Sequence, residues 1–147
     1  MFKPKKILVP TDFSEISFSA VRQAKDIAEL CGSEVVVLHV KEKNADEIPL
    51  FFLDDEKINE INKHLDEHIT HELDKVKKTI FEGSSVKHDF KIVHGNSYDE
   101  IIKTADALGI DLIVISSKGR SSLEGFFYGS TTEKVVRKAH CSVLVSR

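Results

Sequence analysis

The sequence predicts an α/β fold: an open, doubly wound five-stranded parallel sheet in the order 3-2-1-4-5, with helices on both faces. Three observations carry that prediction. Short, β-branched apolar runs recur at Ile7–Val9, Val35–Val40 and Leu112–Ile115, too continuous for half-exposed strands and too short for helices. Segments with apolar residues at helical spacing separate them, which makes repeated β-α-β units with right-handed crossovers. Glycines at 32, 83, 95 and 109 fall where those segments should stop or turn.

Taken in order, Ile7-Leu8-Val9 is the first and central strand, closed by Pro10-Thr11-Asp12. Ser14 caps a helix to about Cys31, with Ala20, Ala24, Ile27, Ala28 and Cys31 on one face and Gly32 just past its end. Glu34–Val40 is the second strand. The stretch 41–55 is irregular and holds Pro49 and an apolar cluster, Leu50-Phe51-Phe52-Leu53, that suits the core edge, a lid or an oligomer contact. A long helix from about Asp55 to Phe81 carries Ile58, Ile61, Leu65, Ile69, Val76 and Ile80 on one stripe. Val86, His88, Phe90 and Ile92 alternate with polar residues as in a half-exposed edge strand. A helix over Tyr98–Leu108, a strand over 111–116, a helix over Thr131–Ala139 and a last strand over Cys141–Ser146 finish the chain.

These 147 residues make one domain, 1–147, with no linker or repeat. With 41% hydrophobic and 31% charged residues and a net charge of -3, the composition is that of a globular protein and gives no electrostatic case for nucleic acid. No apolar run approaches the roughly 20 residues of a membrane span. The N-terminal apolar segment is too short for a secretory signal, and Cys31 and Cys141 have no metal or redox spacing. The expectation is a cytoplasmic protein that binds neither membrane nor nucleic acid.

The stretch Ile115–Ser130 concentrates the chemistry. It leaves a strand end, carries glycines at 119, 125 and 129, and delivers Ser130 or Thr131 as the N-cap of the next helix. Glycine lets backbone N–H groups approach an oxyanion, and a helix N-terminus offers unpaired donors with partial positive charge. Lys118 and Arg120 add full charges. In such folds ligands bind beyond the carboxyl ends of the strands. That rule gathers Pro10, Thr11 and Asp12 after strand one, Val40 after strand two and the 116–131 loop after strand four. Asp12 is placed either to accept hydrogen bonds from a ribose or base amino group or, more plainly, to start the first helix as a turn residue.

Other chemistries find little support. Neither G-x-x-x-x-G-K-[ST] nor, after strand one, G-x-G-x-x-G occurs, which removes a Walker loop and nicotinamide hydride transfer. His64, His68 and His71 share a helix face, but Leu65 stands where a zinc-protease helix needs glutamate, and a solvated polar face is the better reading. No G-x-S-x-G nucleophile elbow is present.

Lys5-Lys6-Ile7-Leu8-Val9-Pro10-Thr11-Asp12, Gly95, the Ile101-Ile102/Ala105 helix, Gly129-Ser130-Thr131-Thr132-Glu133-Lys134-Val135-Val136-Arg137 and Cys141-Ser142-Val143-Leu144-Val145 together resemble the universal stress protein family over the whole chain. Its nucleotide-binding branch has the signature glycine, two residues, glycine, nine residues, glycine, then Ser or Thr. Here Gly119, Gly129 and Ser130 match it, and Ser116 stands at the first glycine. The resemblance implies ATP, with or without Mg2+, as ligand. Asp12 and the Val40 backbone would hold the ribose and adenine, and Gly119, Gly129, Ser130 and Thr131 the phosphates, with Lys118 in reach. A serine at 116 is strained if its backbone needs positive φ, and neutral or useful if it does not.

The reading is therefore a nucleotide-binding regulator. Its alternative is a dimeric interaction protein of the same family with a vestigial pocket. A slow ATPase would have no general base to name beyond Asp12. The last strand, apolar and without proline or lysine, lies at a sheet edge in the 3-2-1-4-5 order and predicts a symmetric homodimer through Cys141–Ser146, which the resemblance also implies.

Overall fold

A computed structural model describes residues 1–42, 53–119 and 128–147. Five strands, β1 (Lys6–Pro10), β2 (Glu34–Lys41), β3 (His88–His94), β4 (Leu112–Ser116) and β5 (Ser142–Ser146), form one parallel sheet in the order β3-β2-β1-β4-β5. The helices are α1 (Glu15–Cys31), α2 (Asp55–Val76), which continues as a π-helical turn Lys77–Phe81, α3 (Ser97–Leu108) and α4 (Ser130–Lys138). The expected fold and strand order are those observed.

Alternation along the strands sorts the core into two layers. Ile7, Val9, Val35, Val37, Leu112 and Val114 face α1 and the C-terminal half of α2, where they meet Phe18, Val21, Ala24, Ile69, Leu73 and Val76. Leu8, Val36, Leu38, Ile113 and Ile115 face the other way, onto Ile101 and Ala105 of α3 and Val135 of α4. Small residues on α1 (Ala20, Ala24 and Ala28, all essentially unexposed) let that helix lie close to the sheet. Its ends are as the sequence predicts: the Ser14 side chain accepts from the Ser17 N–H, and Gly32 closes the helix in the left-handed region at φ 69°.

Four expectations need correction. The stripe on the long helix is buried only from Ile69 onward; Ile61 and Leu65 are exposed, and the core takes Ile69, Leu73 and Val76 from this helix. The helix widens into a π turn at Lys77–Phe81, which turns two consecutive side chains, Ile80 and Phe81, into the core. Strand β2 runs to Lys41, so Val40 lies within it rather than after it. Strand β5 starts at Ser142, leaving Cys141 half-buried before it. Leu50, Phe51 and Phe52 lie outside the described residues. Among the described residues, no helix is long and apolar enough to cross a membrane.

Candidate functional site

The carboxyl ends of β1, β2 and β4 open into a cavity of about 550 Å³. Pro10, Thr11, Asp12, Val40, Ser116, Lys118, Gly119, Gly129, Ser130 and Thr131 all line it. The sheet makes this convergence: β1 is central, with β2 and β4 hydrogen-bonded on either side, so their three following segments meet at one edge. Arg120 and Gly125 lie outside the described residues.

The β4–α4 side is held by backbone and hydroxyl bonds. Ser117 N–H donates to the Ser146 carbonyl at 2.7 Å, Gly129 N–H donates to the Ser117 carbonyl at 2.9 Å, and the Thr132 hydroxyl donates to the Ser116 carbonyl at 2.7 Å. The two ends of the loop are thereby brought together: a β-carbon built on Gly129 would stand 3.7 Å from the Gly119 nitrogen, an ordinary contact. The N-cap of α4 is Gly129, in an extended conformation at φ -59° and ψ 154°, and not Ser130 or Thr131. The Gly129 carbonyl accepts the first helical bond, from Glu133 N–H, so Ser130 is already the first helical residue. Gly129, having no side chain, gives the helix no side-chain cap of its own, and Ser130, Thr131 and Thr132 of its first turn line the cavity.

Ser116 closes β4 in extended backbone, is buried, and is not among the residues with positive φ. Its hydroxyl donates to the Lys118 carbonyl at 2.9 Å. The position therefore does not need glycine, and the serine ties down the turn that leads to Gly119.

The opposite wall is the β1–α1 turn. Asp12 does act as a turn residue: its Oδ1 accepts from both the N–H (3.0 Å) and the hydroxyl of Ser14. Its other oxygen lies against Gly119. The next residue, Phe13, has φ 67° and is the only non-glycine with positive φ among the described residues, a conformation that costs about 1–2 kcal/mol. The Phe13 ring stacks on His39 at 4.3 Å and meets His68 edge-on at 6.4 Å.

Sequence reasoning missed Phe13, His39, His68, Thr132, Glu42 and Ser97, all of which line the cavity. His39 had a signal, a polar ring inside an otherwise apolar strand; phenylalanine in a left-handed turn has none. Glu42 accepts a 3.2 Å hydrogen bond from Ser97 N–H at the start of α3. Both α3 and α4 begin on the cavity with no side-chain cap from their own N-cap residue, and each carries acid in its first turn, Asp99 and Glu100 on α3 and Glu133 on α4. The charged residues on the cavity wall are Lys118 and Lys41 with the carboxylates of Asp12 and Glu42. His64 and His71 are exposed, and among the described residues no group of three or more His, Cys, Asp and Glu is placed to hold a metal ion.

The cavity lies beyond the carboxyl ends of the strands of a doubly wound α/β domain, where such folds place their ligands. The chain matches the universal stress protein family over residues 3–147 and belongs to it. It is 34% identical over 152 residues to universal stress protein MJ0577 of Methanocaldococcus jannaschii, covering 96% of this chain and 93% of that protein. The solved structure of MJ0577 superposes with a TM-score of 0.82 at 35% identity, over 99% of this chain and 96% of that one. Two more distant structures show the same fold: a universal stress protein in complex with cAMP (TM-score 0.74, 20% identity, 99% and 98% covered) and one from Archaeoglobus fulgidus in complex with dAMP (TM-score 0.63, 21% identity, 99% and 100% covered). Some family members thus bind adenine nucleotides.

Proposed function

We propose that this chain is a regulatory universal stress protein that binds ATP in the cavity at the ends of β1, β2 and β4. The observation that carries this reading is the N-terminus of α4, which begins on Gly129 with no side-chain cap of its own and adjoins Gly119 and Lys118. An anionic phosphate chain complements that edge, and the nucleoside then lies between Asp12 and Val40, where a carboxylate and a strand backbone offer hydrogen-bond partners. Mg2+ enters with the triphosphate in this reading. The adenine nucleotides held by the two distant relatives support the ligand class. The protein acts as a homodimer paired through the free edge of β5.

Calorimetry with millimolar Mg-ATP, together with mass spectrometry of small molecules released from the purified protein, tests the proposal. Saturable heat and released adenine nucleotide are the expected results. No heat and no released nucleotide would leave a dimeric interaction protein with a vestigial pocket. Asp12→Asn separates the two ends of the ligand. It keeps the turn acceptor but loses the charge, and should weaken ATP by about 1.5–3 kcal/mol while leaving inorganic triphosphate nearly unaffected.

A further inference from the structure

We infer that His39 is a positioning residue that sets the orientation of Asp12, acting through Thr11 and Phe13 from the neighbouring strand. The inference rests on the nucleotide site proposed above. Its basis is a bond network that encloses Asp12 on both sides of the chain. His39 Nδ1 lies 2.9 Å from the Thr11 carbonyl oxygen; a carbonyl only accepts, so Nδ1 carries the proton and donates it. The same ring stacks on Phe13 at 4.3 Å with the planes 23° apart. One histidine thus holds the residue before Asp12 by its backbone and the residue after it by its side chain.

Hydroxyls complete the network. Ser17 Oγ donates to the Ser14 carbonyl at 2.9 Å, which leaves the Thr11 hydroxyl as donor in its 2.8 Å bond to Ser17 Oγ. Thr11 Oγ1 in turn accepts from Phe13 N–H at 3.1 Å. Phe13 is thereby fixed at φ 67°, a backbone state it would leave without external restraint. That left-handed turn delivers Ser14 N–H to Asp12 Oδ1 and sets Oδ2 against Gly119. The Thr11–Ser17 pair is buried, whereas His39 and Asp12 are half-buried on the cavity wall. Carboxylate geometry at the site therefore depends on a ring carried by the neighbouring strand.

The test compares His39→Leu, His39→Asn and Asp12→Ala, with the double variant His39→Leu/Asp12→Ala. Asparagine places its side-chain N–H as many bonds from Cα as Nδ1, so it can keep the bond to Thr11. Two readouts are taken: ATP affinity by calorimetry, and amide hydrogen exchange of Phe13 and Ser14 in the ligand-free protein. His39→Leu should weaken ATP about tenfold, the effect of one lost hydrogen bond. It should also speed exchange at Phe13 and Ser14 about tenfold, leaving Val36 and Ile113 in the central strands unchanged. His39→Asn should recover most of both losses, and in the Asp12→Ala background His39→Leu should cost no further affinity. An equal loss in both backgrounds would overturn the inference by making His39 a direct ligand contact, and so would uniform exchange changes across the sheet. If the unmodified protein binds no ATP, the proposed function fails separately, and unchanged exchange at Phe13 and Ser14 in His39→Leu would still overturn the positioning role.

Discussion

Gly119 and Asp12 come so close across the cavity mouth that a β-carbon on Gly119 would stand 2.8 Å from Asp12 Oδ2. Two loops separated by more than a hundred residues in the chain meet there. The carboxylate cannot swing aside freely, because its other oxygen accepts two hydrogen bonds from Ser14. Glycine at 119 is required by space rather than by backbone conformation.

Gly119→Ala should therefore displace Asp12 and weaken ATP at least tenfold, while the melting temperature moves by no more than a few degrees, since Gly119 is exposed. Gly129→Ala is the contrast: its β-carbon meets nothing nearer than 3.7 Å, and affinity should change less than threefold. Calorimetry on the pair checks the ranking, and equal losses would place the constraint elsewhere.

Ser116→Gly restores the glycine of the nucleotide-binding signature, yet it should not improve binding. It removes the bond from the Ser116 hydroxyl to the Lys118 carbonyl and adds backbone freedom to a strand end. A loss of about 1 kcal/mol in stability is expected in a denaturant titration, with ATP affinity unchanged or lower. A clear gain in affinity would show that the side chain narrows the pocket.

The free edge of β5 can be tested through its backbone. Ser117 N–H bonds to the Ser146 carbonyl, and in a parallel ladder this phase turns residues 142, 144 and 146 toward β4 and residues 143 and 145 toward the open edge. Val143→Pro removes an outward N–H and leaves the bonds to β4. Sedimentation should shift from dimer to monomer mass with a cooperative melt retained. Leu144→Lys is a poorer probe, because Leu144 packs against the core and its loss would destabilise the subunit as well.

Stability at acid pH should register Asp111. Hydrogen bonds from the backbone N–H groups of Lys6 and Lys5, at 2.9 and 2.8 Å, hold its carboxyl below the usual carboxylate value. A depressed folded-state pKa favours folding above the unfolded value of 3.8, and that contribution is lost as pH falls through the folded value. Asp111→Ala should thus lose about 1 kcal/mol near neutrality and show a flatter stability profile below pH 4 than the unmodified protein, measured by urea melts.

The sequence by itself determined the sheet, its order and most element ends. Those features follow from local rules that read along the chain: apolar runs for buried strands, Ser14 as a cap, Gly32 and Gly109 as left-handed stops. The ten candidate site residues were also legible, through strand ends, glycine spacing and family resemblance, and they line one cavity. What only the tertiary structure decided are relations between distant segments. That Gly119 abuts Asp12, that Ser116 sits in extended backbone, that Glu42 meets the start of α3 while α4 begins on Gly129, and that His39 holds the turn around Asp12 depend on which chain segments the sheet sets side by side. Residue type fixes what a side chain can donate, accept or exclude; only the fold fixes what stands 3 Å away from it.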